Sequence, residues 1–143
     1  MSEPQTRSID RLDRLAGAWA INGDFVSGRT RFEWAEGRSF LLQHFDLSRQ
    51  GRPLKGLEVI GHLRGVQGPP SQDICSRAYI FGDGLTLDYV YELDGDDLTI
   101  WFGARGSDNL MRAKFSEDGA RYSGAWRWPG GGYAFEARKQ AWP

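Results

Sequence analysis

Apolar and polar positions along the chain change their rhythm once, at Gly17. Before it, Ile9, Leu12, Leu15 and Ala16 recur at helical spacing, with Ser8 placed as an N-cap and Gly17 as a stop. This predicts one short helix over residues 8–16. After Gly17 the pattern becomes a series of short strand-like runs separated by turn formers. Ten such runs are expected, at 18–25, 29–36, 39–47, 56–64, 73–81, 85–93, 97–103, 109–115, 120–128 and 133–140. Ser27-Gly28, Glu36-Gly37, Asp83-Gly84, Asp94-Gly95-Asp96, Asp118-Gly119 and Pro129-Gly130-Gly131-Gly132 mark the breaks. Two links read as longer, Arg49 to Lys55 and Gly65 to Gln72. No helical pattern intervenes, so parallel crossover units are excluded and the runs form an antiparallel meander. A flat sheet of that many strands would leave long open edges, which closure removes. The expected fold is an all-β, closed, antiparallel up-and-down barrel of about ten strands, enclosing a lumen of side-chain or small-ligand size.

Period two gives each run two faces. Leu87, Tyr89, Tyr91 and Leu93 oppose Thr86, Asp88, Val90 and Glu92, so the aromatic set belongs inside. Met111, Ala113 and Phe115, and then Tyr122, Gly124, Trp126 and Trp128, separate as cleanly from their polar opposites. Runs three to five are mixed on both faces. There the expected inward set is Gln43, Glu58, His62, Arg77 and Tyr79, joining Tyr89, Tyr91, Trp101 and Trp126 in an aromatic cup with polar anchors. An apolar outer face on the same runs would suit a homodimer contact.

Composition narrows the classes. The 143 residues fit one domain, 1–143, and 40% hydrophobic content supports a core without metals or disulfides. Six Trp, five Tyr, eight Phe and 19 Gly agree with aromatic-filled strands and tight turns. A net charge of −1 without like-charge blocks argues against nucleic acid or an anionic membrane as main partner. Cys75 is alone, so no internal disulfide is possible and a reducing compartment is favoured. Residues 1–7 are polar, read as a flexible N-terminus and carry no secretory core. No apolar run approaches the ~20 residues of a spanning helix. The expectation is a cytoplasmic protein.

Gly17-Ala18-Trp19 opens the first run, and Arg138 on the last can reach back to stack on the indole. A Gly-x-Trp with a late arginine resembles the calycin, or lipocalin-like, barrels. Phe32-Glu33-Trp34-Ala35-Glu36-Gly37 and Phe40-Leu41-Leu42-Gln43-His44 resemble more closely a family of small bacterial lipocalin-like proteins of unknown function. So do Val59-Ile60-Gly61, Arg77-Ala78-Tyr79, Phe115-Ser116-Glu117-Asp118-Gly119 and Ser123-Gly124-Ala125-Trp126. The resemblance runs from Leu15 to about Arg138 and implies a closed barrel with an N-terminal helix as plug. It implies no activity. Where the family pattern would carry Tyr-Asp after Gly61 and Phe-Asp after Tyr79, the chain has His62-Leu63 and Ile80-Phe81, which are more apolar. Nitrobindin-like barrels, by the same resemblance, hold haem through a late histidine. None follows His62 here, so no haem is expected.

Other candidate chemistry is sparse. His44 and His62 fall on opposite faces of neighbouring runs, which speaks against a zinc pair, while Glu58 shares the face of His62 and could orient its ring. Cys75 has Arg77 on its face but reads as a small buried hydrophobe. Asp94-Gly95-Asp96-Asp97 lacks the remaining calcium ligands, and no helix follows Gly130-Gly131-Gly132 to hold a phosphate. Neither a cofactor nor a metal is expected, and no catalytic residue is assigned. The leading functional expectation is binding or carriage of a small, mostly apolar or aromatic molecule in the lumen. One alternative is a cyclase, isomerase or decarboxylase using Glu58, His62 and Tyr79 as acid–base groups. Another is an interaction module whose barrel is filled by its own aromatics.

Overall fold

Residues 8–141 are described by the computed structural model; the segment 1–7, read above as flexible, lies outside them. Ser8–Leu15 winds as a 3-10 helix. Its apolar residues explain the tight winding: Ile9, Leu12 and Leu15 stand three apart, and a helix with three residues per turn eclipses them into one row. All three are buried against the barrel. Ala16 falls outside the helix, its N–H closing the last turn on the Asp13 carbonyl at 3.0 Å. Gly17 then takes a φ of +123°, which L side chains rarely adopt, and turns the chain into the first strand.

Ten strands follow: β1 (Gly17–Gly23), β2 (Val26–Trp34), β3 (Leu41–Arg49), β4 (Arg52–His62), β5 (Ile74–Ile80), β6 (Thr86–Asp94), β7 (Asp97–Phe102), β8 (Leu110–Phe115), β9 (Arg121–Trp128) and β10 (Gly131–Gln140). Each pairs antiparallel with its chain neighbours, and β1 pairs with β10 to close the barrel. The main difference from the expected runs lies between β3 and β4. The long link read at Arg49 to Lys55 is a two-residue turn, with Gln50 at φ 53° and Gly51 at φ 79°. Two positive φ values in succession match the twist of a tight hairpin. Pro53 is tolerated because it lies beyond Gly56, the last β4 residue that β5 pairs with on that side.

Alternate connections lie at opposite ends of a meander. At one end the 3-10 helix crosses the barrel, and Ile9, Leu12 and Leu15 join Trp19, Phe115, Tyr122 and Leu41 in a core. At the other end are the hairpins after β1, β3, β5, β7 and β9. The walls also need glycine where strands crowd. A Cβ on Gly124 would lie 1.8 Å from the Arg112 carbonyl oxygen, so β8 and β9 meet there only without a side chain. No helix among the described residues is long and apolar enough to cross a membrane.

Candidate functional site

The closed end is fastened by side chains from the helix, several strands and two links. Trp19 is fully buried and donates its indole N–H to the Leu15 carbonyl at 2.8 Å, satisfying a helix-end acceptor. Trp34 donates to Asp13 at 2.7 Å, and Arg38 pairs with the same carboxylate at 3.3 Å. Arg14 reaches the Gly95 carbonyl at 2.9 Å and Asp96 at 2.8 Å, with its guanidinium 4.4 Å from the Phe115 ring centroid. The acidic hairpin after β6 is therefore a docking point for the helix.

Two expectations change at this end. The cation over Trp19 is Lys139, 5.3 Å from the ring centroid, and Arg138 is not there. Ala137 is buried and Lys139 pairs with Trp19 in the β1–β10 register, so Arg138 points outward, where it pairs with Glu136. His62 has the inward parity expected of it but sits at this closed end. Its Nε2 lies 3.0 Å from the Ser8 hydroxyl and its Nδ1 2.7 Å from the Ser71 carbonyl. Nδ1 therefore carries the proton to Ser71, and Nε2 accepts from Ser8. The ring ties the helix start to the β4–β5 link.

Above Leu15 the barrel is not filled. A cavity of about 630 Å³ runs up to the hairpin end. Gln43, Glu58, Tyr89, Tyr91 and Trp126 line it, as expected, together with Phe45, Tyr122, Ile100 and Phe135. At the rim are Arg49, Asp83, Leu85, Phe102 and Trp128.

Besides His62, three of the expected lumen residues are elsewhere. β5 turns Ile74, Ser76, Ala78 and Ile80 inward, because Glu58 pairs with Ala78 and Ile60 with Ser76. Arg77 and Tyr79 therefore face outward. Arg77 grips Asp88 at 2.8 and 3.3 Å, and Asp88 is held below the ordinary carboxylate range by that bond. Tyr79 is 41% exposed. Trp101 also faces outward, across from Val90, and is buried there beneath Arg105 at 4.7 Å. Arg105 is fixed by Asp73 at 2.9 Å and Glu92 at 2.8 Å. The acid–base set of Glu58, His62 and Tyr79 is thus not assembled: one member is in the cavity wall, one at the closed end and one outside.

What the cavity holds instead is a network around Glu58, which is 3% exposed. Its Oε1 accepts from the Gln43 amide at 2.5 Å and the Tyr91 hydroxyl at 2.7 Å, and its Oε2 from the Ser76 hydroxyl at 2.6 Å. Thr30 donates on to Gln43 at 2.7 Å. Burial pushes the carboxyl above its ordinary value of 4.5, and the three donors oppose that without overcoming it. Burial and the nearby Glu58 charge raise Tyr91, Tyr89 and Tyr122, so all three remain hydroxyls. Ser76 and Tyr122 escaped the expected set. Ser76 was hidden by the parity of β5, whereas Tyr122 already had a clear inward alternation.

Metal and nucleophile chemistry finds no support in these positions. His44 lies on the outer face, 3.5 Å from Glu33. No cluster of three or more metal-ligating side chains occurs among the described residues. Cys75 is half-buried on the outside, burial pushes its thiol up, and Arg77 is committed to Asp88. No protein-family model matches the chain, and no curated protein matches it.

Proposed function

We propose that the protein binds or carries a small, mostly apolar or aromatic molecule in its lumen. The observation that carries this reading is the cavity itself: about 630 Å³, walled by aromatic and aliphatic side chains, with one polar network at depth. Ligand sites have this size and this balance of apolar lining to few polar groups. Each 100 Å² of apolar ligand surface buried there contributes about 2.5 kcal/mol. A helix closing one end and hairpins rimming the other fit the lipocalin-like kinship that Gly17-Ala18-Trp19 suggests. The dispersal of Glu58, His62 and Tyr79 weighs against the specific acid–base alternative, and an unfilled lumen weighs against a purely structural barrel.

The test is to fill the lumen. Ala78 is 5% exposed, lines the cavity and lies across from Glu58. Titrating the neutral fluorophore N-phenyl-1-naphthylamine should show saturable binding to the wild type. Ala78→Phe should weaken it about tenfold or more, a loss of ~1.4 kcal/mol. Leu54→Trp, nearer the rim, is the second variant if the first unfolds. Equal binding by folded filled variants would refute a lumen site.

A further inference from the structure

The walls of the cavity also define which molecules it admits. Tyr122 is 6% exposed, packed edge-on against Trp19 at 4.8 Å and against Phe135 at 6.1 Å. It lines the cavity, its hydroxyl makes no hydrogen bond to the wall among the described residues, and that oxygen is not one of the atoms buried without a partner, so it is open to the cavity. Tyr89, half-buried and wedged between Phe102 and Trp126, is in the same position. A hydroxyl open to the cavity and not bonded to the wall is free to donate to a bound molecule. Glu58 is not its acceptor, because Gln43, Tyr91 and Ser76 already occupy it.

We propose that the lumen selects uncharged molecules with a hydrogen-bond-accepting oxygen on an apolar body, received by the hydroxyls of Tyr122 and Tyr89. The proposal rests on the lumen-binding reading above and names its ligand class. Charge decides against the alternatives. Arg49 is the only cation among the lining residues, and it is exposed at the hairpin rim, 5.4 Å from the Tyr133 ring. An anionic head at the depth of Tyr122 would lie near a buried carboxyl with no counter-charge. A cation would need free acceptors, and the oxygens of Glu58 already hold three donors from the wall. A carbonyl or ether oxygen accepts from either of these hydroxyls and leaves the network intact.

Three probes of nearly one shape separate these cases: 2-acetylnaphthalene, 2-isopropenylnaphthalene and 2-naphthoate, titrated into the full-length protein by tryptophan fluorescence. The ketone should bind about tenfold tighter than the hydrocarbon and than the anion. Tyr122→Phe should cut the ketone's advantage about fivefold and leave hydrocarbon affinity within about twofold. Tyr89→Phe should act in the same direction and stands in if the first variant unfolds. Hydrocarbon binding with no preference for the ketone, a preference that survives both substitutions, or tightest binding by the naphthoate overturns the selectivity. Failure of all three probes to bind overturns the lumen reading itself, and the selectivity with it.

Discussion

Replacing Glu58 by glutamine should change how stability depends on pH, in a direction the structure fixes. The carboxyl is 3% exposed and its pKa lies above 4.5 in the folded chain because burial outweighs the donors from Ser76, Tyr91 and Gln43. Between the unfolded and folded pKa values the native state binds more protons than the unfolded state. Stability is therefore full below about pH 4.5 and falls as pH rises through the folded value, at about 1.4 kcal/mol per pH unit inside that window. The other ionisable groups lining the cavity, Arg49 and Asp83, are at the exposed rim, and the neighbouring tyrosines stay neutral. All of them are common to both proteins and cancel in the difference. Glu58→Gln keeps the shape and removes the titration. Measured by urea unfolding from about pH 4 to pH 8, the variant should gain steadily on the wild type with rising pH. Glu58→Leu separates charge from pairing. It strands the Tyr91 and Ser76 hydroxyls, at ~1–3 kcal/mol each, so it should cost about 2–6 kcal/mol even in acid. Parallel curves for wild type and Glu58→Gln, or a variant that loses ground as pH rises, would refute the burial argument.

Two further outcomes concern how the barrel is closed and walled. Trp19→Ala should cost about 3–5 kcal/mol in denaturant unfolding, while Arg138→Ala, on an exposed pair, should stay within about 0.5 kcal/mol; a large loss at Arg138 would contradict its outward placement. Gly124→Ala should be among the most damaging of single-methyl additions, because its Cβ would meet the Arg112 carbonyl at 1.8 Å; a thermal midpoint unchanged from wild type would show that β8 and β9 can separate.

The ten strands were legible because turn formers punctuate them and no helical period intervenes. The lumen face was legible wherever one side of a strand is plainly polar. In β6, Asp88 and Glu92 oppose Tyr89 and Tyr91, and in β9, Arg121 and Arg127 oppose Tyr122 and Trp126. β5 misled because Ile74, Ala78 and Ile80 face Cys75 and Tyr79, so both sides look apolar. A usable signal was present: Asp88 already belonged outside, and a cross-strand ion pair would place Arg77 with it. Trp101 shares the outward face of β7 with Asp97 and Thr99, and an arginine covers its ring instead of the lumen. Arg138 was displaced by one position, because Lys139 shares the inward parity of Ala137. His62 shows a different limit. Alternation gives the face but not the height along the barrel, and the height puts it under the helix. The network on Glu58 depends on registers across β3, β4, β5 and β6, which single-strand patterns do not encode.

The central claim is that the cavity above Leu15 holds a small molecule. Native mass spectrometry of the wild type and Ala78→Phe, both purified under mild conditions from the protein's own host, tests it most directly. The account expects the wild type to carry a non-covalent adduct of a few hundred daltons, absent from the filled variant and lost on collisional activation. A wild-type mass with no adduct, or the same adduct on folded Ala78→Phe, would contradict it.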